Sequence, residues 1–169
     1  MSVVINGSAG VTTNSGAVYD GIQRGTAVTA SGTSVDFTSI PSWAKRITVM
    51  FSGVSTSGTS NWLIQVGSGS ISSSGYVAVL ATGSTYNSYT TGFGIVNAIV
   101  AVDAFSGAAT VNLMTGATYI CQSVMNRPGS NVMSGTGSVT LAGTLDRIRI
   151  TTVNGTDTFD AGTINILFE

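Results

Sequence analysis

Two tyrosines three residues apart, in a stretch with no aliphatic side chain, are the residues of this chain best suited to holding a ligand: Thr85-Tyr86-Asn87-Ser88-Tyr89-Thr90. A sugar offers apolar C–H patches ringed by hydroxyls. It is matched by an aromatic face beside amide and hydroxyl groups. The stretch reads as an exposed polar loop in which Tyr86, Asn87 and Tyr89 contact a glycan. Trp62, next to Asn61, belongs either at a strand start near that loop or in the core. Arg127 is the sole charge in Asn126-Arg-Pro-Gly-Ser-Asn131 and would suit an anionic sugar. The plainer alternatives are loop packing or a subunit contact for the tyrosines and a solvated turn for Arg127.

Catalytic chemistry has less to work with. Histidine is absent, which excludes a Ser-His-Asp triad and removes the commonest metal ligand and general base. Ser42-Trp43-Ala44-Lys45 fits S-x-x-K, a nucleophile motif that requires a helix start and partner motifs. Here it follows Pro41 and leads into a strand pattern, so it reads as a turn, with Trp43 plugging the end of the core. Asp157 and Asp160 are the closest acidic pair. They could serve glycan cleavage or a hard cation, but Asn154-Gly-Thr-Asp157 is turn composition and lacks the acidic density of a calcium loop. Cys121 is the single cysteine, so no intrachain disulfide forms, and its strand setting predicts a buried, inert thiol. No cofactor is expected.

These residues stand in a chain of 169 residues, enough for one domain with a real core. Hydrophobic residues make up 43% of it and charged residues only 8%, against about a quarter in ordinary domains. Ser, Thr, Gly and Asn take the place of charge. The net charge is −1, and the basic residues Arg24, Lys45, Arg46, Arg127, Arg147 and Arg149 form no run, so a nucleic-acid partner is not expected. A chain so poor in charge has little electrostatic resistance to association. No signal peptide is visible, and the most apolar run is too short to cross a bilayer.

Gly, Ser, Asn and Thr clusters punctuate the chain about every ten residues, and the runs between them are rich in β-formers. That is the pattern of short antiparallel strands in a sandwich or barrel. Alternation is clearest at 45–54, 146–153 and 162–168. Weaker strand patterns fall at 27–30, 34–38, 62–66, 76–81, 108–113, 118–125 and 137–141. The run 94–102 is apolar on both faces: Ile95, Ile99 and Ala101 against Val96, Ala98, Val100 and Val102. A sandwich strand normally buries one face, so a neighbouring subunit or a long loop of the same chain must cover the second. No stretch has capped helical periodicity. Residues 1–25, rich in Gly and Ser, read as a lead-in arm, and 26–169 as the body.

A resemblance adds to this. The segment Thr33-Ser-Val-Asp-Phe-Thr-Ser-Ile-Pro-Ser-Trp-Ala-Lys-Arg-Ile-Thr-Val-Met-Phe-Ser-Gly-Val-Ser-Thr-Ser-Gly-Thr-Ser60 resembles a block in tail-fibre and tail-tip proteins of tailed bacteriophages. The ending Phe159-Asp-Ala-Gly-Thr-Ile-Asn-Ile-Leu-Phe-Glu169 is similar to the ending of the same proteins. Residues 67–141 carry no part of the likeness. The resemblance implies the distal tip of a virion fibre, a jelly-roll-like antiparallel β-sandwich assembled as a homotrimer. It would be made in the host cytoplasm and act outside the cell, joined to upstream fibre or tail proteins and facing a host glycan or outer-membrane receptor. Family members carry a shaft upstream, so a chain of this length is expected to be an excised fragment or a separate small gene product. A structural cap, trimerisation domain or decoration protein is the second expectation. A glycan depolymerase using Asp157 or Asp160 is the third.

Overall fold

The computed structural model describes residues 3–6, 10–13, 18–19, 21–97, 100–101, 103–127, 129 and 131–169. Among these the fold is all-β and antiparallel, with no helix. The strands are β1 (Val3–Asn6), β2 (Gly10–Thr13), β3 (Val18–Tyr19), β4 (Gln23–Arg24), β5 (Val28–Thr29), β6 (Ser34–Phe37), β7 (Arg46–Thr56), β8 (Trp62–Ser68), β9 (Ser70–Ile71), β10 (Val77–Thr82), β11 (Thr85–Tyr89), β12 (Phe93–Val96), β13 (Phe105–Thr115), β14 (Thr118–Asn126), β15 (Val132–Thr140), β16 (Arg147–Thr152) and β17 (Phe159–Phe168).

β1 to β3 form a small sheet of their own within the expected arm. Gln23 and Arg24, at the end of that arm, already pair with β17. The large sheet runs β11-β10-β15-β14-β13-β7-β17-β4, with β5 also on β17. The smaller sheet runs β12-β8-β16-β6, with β9 on β8.

Alternation in the sequence becomes inside and outside in the fold. In β7, Ile47, Val49 and Phe51 are buried, while Arg46 is exposed and Thr48 and Met50 are half-buried. The parity breaks at Gly53, where φ is +61°, and Val54 then turns inward. A facing glycine, Gly162 (φ +87°), marks the matching irregularity in β17. A Cβ at Gly162 would strike the Gly53 backbone, so only glycine lets these strands meet.

The two larger sheets share one core. Trp62 of β8 lies at its centre, fully buried, edge-on to Phe105 and Phe159 of the opposite sheet at 5.2 and 5.3 Å between ring centroids. Its indole N–H donates to Thr56 Oγ1 at 3.3 Å. Tyr76 packs edge-on to Phe93, and its hydroxyl accepts from Val66 N at 2.8 Å. Burial raises that phenol to about 12. Each large aromatic thus crosses the gap between sheets, and each buried polar tip finds a partner.

One sequence expectation is narrowed here to one of its two alternatives, and one is corrected. The doubly apolar run forms only a short strand, β12, whose four residues are all buried within this one chain. Residues 98, 99 and 102 lie outside the described residues. The Tyr89 ring lies where a Gly94 Cβ would point, and Gly92 packs onto Leu63 and the Ile64 carbonyl. Residues from Tyr89 to Gly92 therefore cover the outer side of β8 and β12, the second of the two expected covers, while Val100, further along the run, is about half exposed. Trp43 does not plug the core. It is about half exposed, with its ring 5.7 Å from that of Phe168.

Candidate functional site

β10 and β11 form a hairpin turned at Gly83, where φ is +58°, with Thr82 opposite Thr85. The stretch read as a polar loop is thus the edge strand of the large sheet. Residues 85–89 escape a strand reading because their hydroxyl and amide side chains show no apolar alternation. β10 supplies the apolar half of the pair, with Ala78 and Leu80 buried.

Strand geometry then separates the two tyrosines. Tyr86 and Tyr89 are an odd number of residues apart, so they face opposite ways. Tyr86 points out of the sheet and is 71% exposed. Tyr89 is buried, and its hydroxyl accepts from Asn61 Nδ2 at 3.0 Å. Burial raises the Tyr89 phenol, and the bond from Asn61 works against that rise. Asn87, opposite buried Leu80, shares the Tyr89 side of the strand and is half-buried. The proposed aromatic pair is therefore one exposed ring and one structural ring.

The other expected ligand residues are also taken up by the fold. Trp62 has no surface to offer a ligand. Arg127 is half-buried and donates through Nε to Asp103 Oδ2 at 2.6 Å. Its own N–H closes a turn onto the Asn131 carbonyl at 2.9 Å. Its charge is already matched, which removes the reason for assigning it an anionic sugar.

What surrounds Tyr86 is more telling. Cross-strand register sets Tyr86 beside Ala81, Ser134 and Val124 in one row. The next row is Ser88, Val79, Thr136 and Gln122. Every side chain of these rows is apolar or a neutral hydroxyl or amide. β10, β11, β13, β14 and β15 contain no Asp, Glu, Lys or Arg at all. An exposed ring among neutral hydrogen-bonding groups can stack on a sugar face without drawing charged competitors.

The remaining candidates read as structure. Asp157 accepts from Asn154 Nδ2 at 2.8 Å and Ser60 N at 2.9 Å, and these bonds hold its carboxyl below the usual range. Asp160 accepts from Ser55 Oγ. Asp157 fastens the turn after β16 and Asp160 ties β17 to β7, and no cluster of three or more metal-ligating side chains occurs among the described residues. Pro41 to Ala44 forms a turn in which Lys45 Nζ reaches the Ser42 carbonyl at 3.4 Å. The S-x-x-K match opens no helix. Cys121 is buried, and desolvation pushes its thiol up to about 12. One open cavity of about 330 Å³ lies between the serine-rich segment 68–74 and Thr140–Ala142. In the sequence the only mark of this cavity is the density of hydroxyls over 68–74.

No protein-family model matches the chain. A search of curated proteins likewise finds none similar to it.

Proposed function

We propose that this chain is the distal, non-enzymatic tip domain of a bacteriophage tail fibre, a homotrimer that contacts a glycan on the host surface through the outer face around Tyr86. It would stand at the virion's tail tip, joined to upstream fibre or tail proteins. The observation that carries the binding role is the exposed Tyr86 ring on a face with no charge. Support for the virion setting comes from the two segments resembling tail-fibre proteins, 33–60 and 159–169. A jelly-roll-like path is part of the same reading. The chain passes between the two sheets at β5–β6, β6–β7, β7–β8, β9–β10, β11–β12, β12–β13, β15–β16 and β16–β17, while β13 to β15 stay in one sheet.

Three tips on one axis would combine weak sites. Avidity of that kind raises affinity by about 10² to 10⁴ without any new contact. The test is binding of the purified chain to an array of bacterial surface polysaccharides, beside the Tyr86→Ala variant. Stacking on one aromatic is worth about 0.5–1.5 kcal/mol in related pairs. Several-fold weaker binding per site is therefore expected, multiplied across the assembly. Full binding by the variant removes Tyr86 from the site. No binding by either protein favours the second reading, a structural cap, which the charge-free face also suits.

A further inference from the structure

We infer that the charge-free outer face of the large sheet, centred on Val124 of β14, is where one copy of this chain packs against another. This locates the self-association assumed above and rests on that part of the proposal, not on a receptor.

The two outer faces of the molecule differ in one respect that a single chain does not explain. On the smaller sheet, outward positions of β6 and β16 carry Asp36 and Arg149, which form a two-pronged ion pair at 2.7 Å for each bond. On the large sheet, five strands contain no ionisable acid or base of the Asp, Glu, Lys or Arg type. Its outward positions instead expose Val77, Val79, Val124 and Val132, the first to 73% and Val124 to 57%. Arg46 enters only at the first residue of β7, where it pairs with Glu169. Scattered apolar residues on a surface are ordinary, but five neighbouring strands, β11-β10-β15-β14-β13, with exposed valines and no charge have an interface composition, while the charges of this sheet, Arg24, Arg46 and Asp160, stand on β4, β7 and β17.

The occupant follows from the charge and the size. A face without charge gives a charged macromolecule nothing to pair with. Copies of itself bring no like-charge clash and bury no unmatched ion. Strands β10, β15, β14, β13 and β7 lie side by side, with Arg46 at the start of β7 as the one charge among them. At about 4.8 Å between strands and roughly 27 Å of length, they offer about 650 Å² per copy. Around a three-fold axis each copy turns this face toward both neighbours, and three such faces make roughly 2,000 Å² in all, the scale of a stable specific assembly. Tyr86 sits on β11, beyond these five, so the rim holding it can stay open to a glycan.

Light scattering coupled to size exclusion on the full chain tests this, with Val124→Lys and Val79→Lys as separate variants. Both valines are solvent-facing in the single chain, so each variant should keep the parent circular dichroism spectrum, with any fall in melting temperature no larger than the loss of association accounts for. Each should weaken association on the order of tenfold or more, because the interface would then hold an unpaired cation. Asp36→Asn, on the opposite face, should leave the mass unchanged. A parent chain that runs as a single copy at tens of micromolar overturns both the assembly and the face. An assembled parent whose lysine variants keep the same mass overturns the face alone. A loss of mass in Asp36→Asn equal to that in the lysine variants overturns it too, since dissociation would then not depend on the face. Glycan binding by Tyr86→Ala is read separately and does not enter these outcomes.

Discussion

The outer side of the smaller sheet and the outer side of the large one solve the same problem differently. On the smaller sheet, apolar residues that face outward from β8 and β12 are hidden by the chain itself, through the Tyr89 ring and Gly92. The outward positions left over carry ion pairs, Asp36 with Arg149 and Asp146 with Arg147. On the large sheet nothing folds over Val77, Val79, Val124 and Val132, and no charge stands among them. An apolar residue facing out has two possible covers, its own chain or another molecule, and only the fold tells which one applies. The sheet that looked most in need of a partner, by its doubly apolar strand, covers itself. The sheet whose strands alternate cleanly is the one left open.

Both faces stand on one core, so the largest effect should come from removing what joins them. Trp62→Ala would empty the space between Phe105 and Phe159 and leave Thr56 Oγ1 without its donor. Loss of a buried Trp costs about 3–5 kcal/mol. For a domain of ordinary stability that is a large fraction of the total. Urea unfolding followed by fluorescence and circular dichroism should show a much lower midpoint. A shift no larger than that of a surface substitution would mean that the two sheets do not depend on each other.

Much of the framework was legible in the sequence, and the reasons are specific. β7 as far as Gly53, β16 as far as Ile150 and β17 after Gly162 alternate, with Ile47, Ile148 and Ile164 each fully buried as their parity requires. The absence of helix among the described residues, the buried Cys121 and the turn role of Asp157 were legible as well, because each depends on local composition. The site was legible only in part. Tyr86 was recognised as exposed, but Tyr89 and Asn87 were grouped with it because residues 85–90 looked like a loop. In a loop neighbouring rings can converge, whereas in a strand their parity sends them to opposite sides. Arg127 could not be judged without Asp103, which lies 24 residues away in sequence and 2.6 Å away in space. The charge-free face was hidden because it is assembled from strands β10, β15, β14 and β13, whose register no local pattern reveals.

A smaller effect should separate the two faces by pH. Asp146 accepts from Arg147 at 2.7 and 3.0 Å and from Gly69 N, and the bonds from Arg147 chiefly hold its carboxyl below the usual range. A carboxyl depressed in the folded state stabilises the fold above its unfolded value, near 3.8. That contribution is lost as pH falls through the folded value, because the folded state must then take up a proton it disfavours. The pair is exposed, so the contribution at stake is small. The melting temperature of the parent should fall below about pH 4, and Asp146→Asn should show a shallower fall from a slightly lower plateau. Identical acid profiles would remove Asp146 from the stability of the smaller sheet.

The smallest expected effect is a near absence of one, and it bears on the large sheet alone. Attraction between exposed charges is screened over about 8 Å at physiological ionic strength and over about 3 Å at 1 M salt. Association through charge therefore weakens as salt rises, while association through apolar and neutral surface does not. No ionic group lies on β10, β13, β14 or β15, and the chain has no histidine. Self-association measured by sedimentation should thus stay within about twofold between 0.05 and 0.5 M sodium chloride and between pH 6 and 8. A tenfold weakening with salt would place an ion pair at the contact. It would move the interface from the valine face to the side of the molecule where Asp36, Arg147 and Arg149 stand.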